Sequence, residues 1–287
     1  MAPALPQADE TDAAACWGAI FAGYETIVLV ANSDAARVSD LAGRYGAGTL
    51  FVFFNKVYKV LSEPFDRPSL LVARSSAAGA NIVYRRETAD VVRLLRSPNF
   101  LGICNLRVGS RERFSPAADF AIPEPVGHLD LTATLNSFYP SSHVATSGFA
   151  LALFLAESLS GHRIVLAGFT ARRSARWKLF ADHDWTFEQI VQRLLLRAGR
   201  LQSANATAED WLAPITRRFP EIDPASIGAA AAEVVAERLE GANLAIDDLL
   251  RVTRPQRHFD GWLKALKPKT RKARLAERDA QPPSSTS

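Results

Sequence analysis

The chain has 287 residues, of which 48% are hydrophobic, and its 34 Lys and Arg against 30 Asp and Glu leave a formal charge of +4. This is enough apolar material for a sizeable core and too little net charge for a disordered polyelectrolyte, so the composition reads as globular. The only cysteines, Cys16 and Cys104, exclude a disulfide framework and fit a reducing compartment.

Residues 1–20 are Ala- and Pro-rich, carry Asp9, Glu10 and Asp12, and read as a flexible tail without the basic flank of a secretory leader. Thr26 to Ala31, TIVLVA, is a continuous β-branched run, as in a strand buried on both faces of a parallel sheet. It ends in Asn32-Ser33-Asp34, turn and cap residues, before a helix through Arg37, Leu41 and Tyr45. Thr49 to Phe54, TLFVFF, reads as the second strand, followed directly by Asn55. Ser69 to Ser76, Asn81 to Arg86 and Phe100 to Val108 read as further strands, and Ala89 to Leu95 as a short helix. Gly109 to Phe138 contains Pro116, Pro123 and Pro125 with little periodicity, and reads as a loop over the site. His128 lies in it and His143 just beyond; neither is assigned a catalytic role.

Most of the chemistry lies between Tyr139 and Glu188. Thr146, Ser147 and Gly148 precede an apolar helix, Phe149 to Ser158, so hydroxyls and unpaired N–H groups lie at its positive end, where an anion can bind or where Thr146 or Ser147 simply caps the helix. Ile164 to Gly168 is a strand whose carboxyl end leads into a basic loop and then His183. Phe187, Ile190, Val191, Leu194 and Leu195 recur at helical spacing from Trp185 to Ala198. His183 therefore precedes a helix start, where Asp184 can cap and the dipole disfavours imidazolium.

The run PSSHVATSGFALALFLAE followed by IVLAGF resembles the small sialyl motif of sialyltransferases, and His183 with Glu188 matches the H-x4-E of their very small motif. The order and separation agree too. Asn32 and Ser33 after the first strand, and Phe54-Asn55 after the second, are similar to that family's donor-holding turns, although Ala31 and Asp34 depart from its usual glycine and proline. The resemblance implies a variant of the nucleotide-sugar-binding α/β fold in which Asn32, Ser33, Asn55, Thr146, Ser147 and Gly148 contact a CMP donor. It further implies that His183 is the general base of an inverting, metal-independent displacement, with Glu188 supporting the loop. The family's bacterial members stabilise the leaving group with tyrosines. Here no tyrosine lies between Phe169 and Glu188, leaving Arg172, Arg173, Arg176, Lys178 or the more distant Tyr139 for that task.

Beyond Arg200 the sequence predicts helices near Ala206 to Phe219, Pro224 to Leu239 and Ala245 to Val252. From Arg254 to Arg278, basic residues interleave with Phe259, Trp262, Leu263 and Leu266, which suits an anionic membrane surface; nucleic acid would use the same cations but is not expected. The chain thus reads as a tail over 1–20 and a nucleotide-sugar-binding domain over 21–200. A helical part or lid over 201–253 and a basic, membrane-associating tail over 254–287 follow. The expected fold class is α/β: a Rossmann-like, mostly parallel sheet with helices on both faces. The expected function is transfer of an acidic sugar, of sialic acid or Kdo type, from CMP to a lipopolysaccharide or capsule glycan, at the inner face of a bacterial cytoplasmic membrane. No cofactor or metal is expected. The alternative is a noncatalytic glycan- or lipid-binding protein of the same fold. G-x-G-x-x-G, P-loop and G-x-S-x-G patterns are absent.

Overall fold

A computed structural model describes residues 4–7, 12–74, 81–170 and 182–204, with scattered positions between 218 and 253. The chain divides into two compact units, Met1–Ala206 and Thr207–Ser287. In the second, the helical positions cluster within 225–240, where the sequence predicts a helix. In the first, the elements in chain order are α1 (Ala13–Ala22), β1 (Thr26–Val30), α2 (Val38–Arg44), β2 (Thr49–Phe54), β3 (Ser69–Arg74), α3 (Thr88–Arg93) and β4 (Phe100–Arg107). They continue with β5 (Val126–Asp130), α4 (Thr132–Asn136), α5 (Ser147–Ser158), β6 (Arg163–Ala167), α6 (Trp185–Arg197) and β7 (Gln202–Ser203).

The strands form one sheet in the order β5-β4-β3-β2-β1-β6-β7, and every pairing is parallel. This is an α/β, Rossmann-like architecture. Successive side chains of β1 enter opposite layers: Ile27 and Leu29 pack in one core with Trp17, Phe21 and the apolar face of α5, while Val28 and Val30 pack in the other with Val38, Leu41 and Val91. Both faces are covered, which is why β2 is buried at all six positions and reads as unbroken TLFVFF. Each fully buried aliphatic or phenylalanine side chain in these layers contributes roughly 1.5–3 kcal/mol relative to exposure.

The chain winds outward from β1 to β5 and then returns to lay β6 on the other side of β1. The carboxyl ends of β1 and β6 therefore flank the point where strand order reverses, the usual place for a ligand crevice in open parallel sheets. Gly168, at φ 76°, turns the chain out of β6 there, and a Cβ on it would lie 2.9 Å from Cβ of Ala36 and 3.2 Å from Cβ of Ser33.

Three stretches depart from the sequence expectations. The supposed tail is part of the core: α1 buries Trp17, whose Nε1 donates to the carbonyl of His128 at 2.8 Å, and the N–H of His128 donates to the carbonyl of Pro6 at 2.7 Å. Residues 4–7 thereby cover the β5 edge. Asn81 to Arg86 is a turn rather than a strand, because Asn81 Oδ1 accepts from the N–H groups of Val83 at 2.8 Å and Tyr84 at 3.2 Å while Ile82 is buried. Gly109 to Phe138 is not all loop; it contains a 3₁₀ turn at Ala117–Phe120, then β5 and α4.

Candidate functional site

The polar residues at the strand ends are tied by hydrogen bonds to the neighbouring strand ends. Asn32, just past β1, donates from Nδ2 to the carbonyl of Phe54 at 2.7 Å, which fixes its amide orientation; its buried Oδ1 has no partner among the described residues. Asn55, just past β2, sits at φ 43°, a left-handed conformation that asparagine tolerates better than most residues, and its Oδ1 accepts the N–H of Arg74 at 3.1 Å. Arg74 closes β3 and is only 8% exposed. Its Nε donates to Glu112 Oε1 at 2.7 Å, and its Nη1 donates to the carbonyl of Ala145 at 2.9 Å and to Ser147 Oγ at 3.3 Å. Glu112 in turn accepts the N–H groups of Val108 at 2.9 Å and Gly109 at 3.2 Å, so one buried ion pair ties the ends of β3 and β4 to the start of α5.

The starts of α5 and α6 are locked to each other. Thr146 is the N-cap of α5, its Oγ1 accepting from Phe149 N at 3.1 Å. The same hydroxyl donates to Glu188 Oε2 at 2.7 Å, and the Thr146 N–H donates to Glu188 Oε1 at 2.7 Å. Glu188 also accepts from the Tyr139 hydroxyl at 3.0 Å, and that hydroxyl accepts the N–H of Asp184 at 2.9 Å. Asp184 caps α6 by accepting Phe187 N at 2.9 Å. Burial raises the Glu188 carboxyl above the usual carboxylate range, against the donors from Thr146 and Tyr139 that lower it. Burial likewise pushes the Tyr139 phenol up, reinforced by the charge of Glu188.

His183 precedes this cap and is half-buried beside Trp185, with ring centroids 5.6 Å apart. Its Nδ1 lies 2.5 Å from the carbonyl of Val144, an acceptor, so Nδ1 carries the proton and the neutral ring presents a lone pair at Nε2. Burial lowers its pKa below the ordinary 6.5; the Val144 bond opposes this, and the nearby charge of Arg74 adds to it. Such a ring is suited to take a proton at neutral pH.

No family model matches this chain, and no curated protein does. Among solved structures it is similar to a mammalian sialyltransferase, crystallised in complex with Gal-beta-1-3GalNAc-ortho-nitrophenol, at 12% identity and a TM-score of 0.30. The match covers 65% of this chain, and the chain spans about three-fifths (62%) of that protein's length.

The fold thus links Asn32, Asn55, Thr146, Ser147, His183, Glu188 and Tyr139 through contacts running from β1 to α6. Ser33 lies in the same switch-point turn as Asn32, and Gly148 occupies the second position of α5 with Phe169 against it. Two expected roles change. Thr146 spends its N–H and hydroxyl on Glu188 and Phe149 N–H is capped by Thr146, so among the described residues Ser147 and Gly148 are left to offer helix-start N–H groups. Tyr139 is buried with its hydroxyl held by Glu188 and Asp184, which makes it a positioning residue and not a group facing a leaving phosphate. Arg172, Arg173, Arg176, Lys178 and the basic segment 254–278 lie outside the described residues. The described residues contain no group of three metal-ligating side chains and no helix long and apolar enough to cross a membrane.

Sequence reasoning passed over Arg74 and Glu112. The available signal was Arg74 itself, the lone charge in SLLVAR and placed at the carboxyl end of an otherwise uncharged strand, where parallel sheets build their sites. Glu112, in an irregular stretch, offered no such signal.

Proposed function

We propose that this chain is an inverting glycosyltransferase that moves an acidic sugar, of sialic acid or Kdo type, from a CMP donor to a glycan acceptor of lipopolysaccharide or capsule. The observation that carries the proposal is the pairing of His183 with the start of α5. The Val144 carbonyl leaves Nε2 as the basic nitrogen, and Val144 lies just before the start of α5, whose Ser147 and Gly148 N–H groups and dipole favour an anion. The acceptor hydroxyl gives its proton to Nε2 as its oxygen attacks the anomeric carbon. The bond from that carbon to the phosphate oxygen breaks, and CMP leaves with the electron pair. Ser147 and Gly148 N–H groups, with the Arg74 guanidinium behind them, hold the phosphate. Asn32 Oδ1, buried and unpartnered, accepts a donor hydroxyl or amine, and Asn55 and Ser33 complete that side of the crevice. The arginines of residues 171–181 neutralise leaving-group charge. The reaction uses no cofactor, and the acceptor sits at the inner face of a bacterial cytoplasmic membrane.

Thermal stabilisation by CMP, compared with CDP, UDP, AMP and NAD with and without magnesium, tests the donor. Selective stabilisation by CMP that needs no magnesium supports the reading, and CMP-sialic acid and CMP-Kdo are then assayed as substrates. A response to another nucleotide alone, or to none, overturns it. A second reading, a noncatalytic glycan- or lipid-binding protein, is favoured by the engagement of Thr146 with Glu188 and by the lack of any tyrosine between Phe169 and Glu188. It predicts glycan or lipid binding with no turnover and no effect of His183→Ala on binding.

A further inference from the structure

The outer face of α6 does not fit a helix whose only task is to cover the sheet. Val191 and Leu195 turn toward the core, yet Ile190 is 54% exposed and Leu194 57% exposed, one turn apart and about a quarter turn round the helix from that pair. Phe138, 43% exposed, lies edge-on to Phe187 at 5.4 Å and extends the same apolar strip toward the helix start. The remaining outer positions include Arg193 and Arg197, both exposed. The acids of this element are elsewhere: Glu188 is buried against Thr146, and Asp184 caps the helix. The face is therefore apolar along one edge, and the charges along the other, beside Thr186, are both positive.

We infer that the outer face of α6, from Phe138 through Ile190 and Leu194 to Arg197, seats on an anionic lipid surface. Large aliphatic side chains supply insertion, and arginines that form no ion pair among the described residues supply attraction to phosphate head groups. A nucleic acid would leave the aliphatic strip uncovered. The placement also bears on the site. At 1.5 Å per residue, Ile190 lies about 9 Å and Leu194 about 15 Å along the axis from Asp184, next to His183. A surface held there brings a lipid-anchored glycan hydroxyl toward His183; this last point rests on the proposed transferase reading, whereas the membrane seat does not.

The test is co-sedimentation of the full chain with phosphatidylcholine vesicles with and without phosphatidylglycerol, at low and high salt. Comparison variants are Ile190→Gln/Leu194→Gln, Arg193→Gln/Arg197→Gln and Lys264→Gln/Lys267→Gln/Lys269→Gln/Arg271→Gln. The expected result is salt-sensitive binding that requires phosphatidylglycerol and weakens at least about tenfold in each α6 variant, while thermal unfolding and the CMP response stay as in the unaltered chain. Three results would overturn the inference: no vesicle binding by the unaltered chain, unchanged binding by the α6 variants with loss only in the 264–271 variant, or a dimer in solution that the Ile190/Leu194 variant splits. Binding that depends on α6 without any response to CMP would overturn the donor reading and leave the membrane seat standing.

Discussion

Thr146 and Glu188 join the starts of two helices through one carboxylate, the threonine giving its N–H to Oε1 and its hydroxyl to Oε2, each at 2.7 Å. Because α5 follows the loop from α4 and α6 leads away from His183, this contact fixes the Thr146–Gly148 turn relative to the segment that carries the imidazole.

Glu188→Gln replaces one acceptor oxygen with an amide that cannot accept, leaving a buried donor of Thr146 or Tyr139 unpaired. A loss of about 1–3 kcal/mol in denaturant unfolding is expected. The pH dependence has a defined sign. Burial raises the folded carboxyl above its ordinary 4.5, so the folded state binds the proton more tightly. Its contribution to stability is fully present below 4.5 and is lost as pH rises through the folded value. Unfolding curves of Glu188→Gln lack that slope.

His183 is shifted the other way. With its folded pKa held below 6.5, mainly by burial, it contributes stability above pH 6.5 that is lost as pH falls through the folded value. The acidic limb of kcat/KM is accordingly expected below pH 6.5. His183→Ala should lower turnover about 10²–10⁴-fold while CMP-induced stabilisation persists. Normal turnover by the variant removes His183 from the mechanism.

Arg74 and Glu112 are a buried pair, with side chains 10% and 9% exposed. Arg74→Met leaves the Glu112 charge uncompensated and should cost about 3–5 kcal/mol, whereas Arg74→Met/Glu112→Leu should recover part of that loss. Urea unfolding of the two variants checks the order; equal stability would show that Glu112 finds water.

Gly148 and Gly168 are sites where any side chain intrudes. A Cβ on Gly148 would stand 2.7 Å from Cε1 of Phe169, and one on Gly168 would press Ala36 and Ser33 from a left-handed backbone. Alanine at either is expected to cost about 1–3 kcal/mol, read as a lower Tm, and to weaken the CMP response because both positions border the switch point.

The sequence by itself determined the elements whose pattern reports burial directly. β1 and β2 are unbroken apolar runs because both sheet faces are covered, and α5, β6 and α6 carry their signals in the same local way. The asparagines after β1 and β2 were legible as polar residues at the carboxyl ends of parallel strands, and His183 and Glu188 through the H-x4-E spacing of the motif they resemble. β5 was not legible: VGHLD alternates weakly, and its edge is covered by residues 4–7, more than a hundred positions away in the chain. Nor was the turn at Asn81, whose β-branched neighbours Ile82 and Val83 are buried by packing while the Asn81 side chain accepts the N–H groups of Val83 and Tyr84. Only the tertiary structure decided that Arg74 and Glu112 complete the network, that Thr146 is held by Glu188 and that Tyr139 faces inward. Each depends on which strand ends and helix starts meet. Strand order and packing fix those meetings, and local propensity carries no record of them.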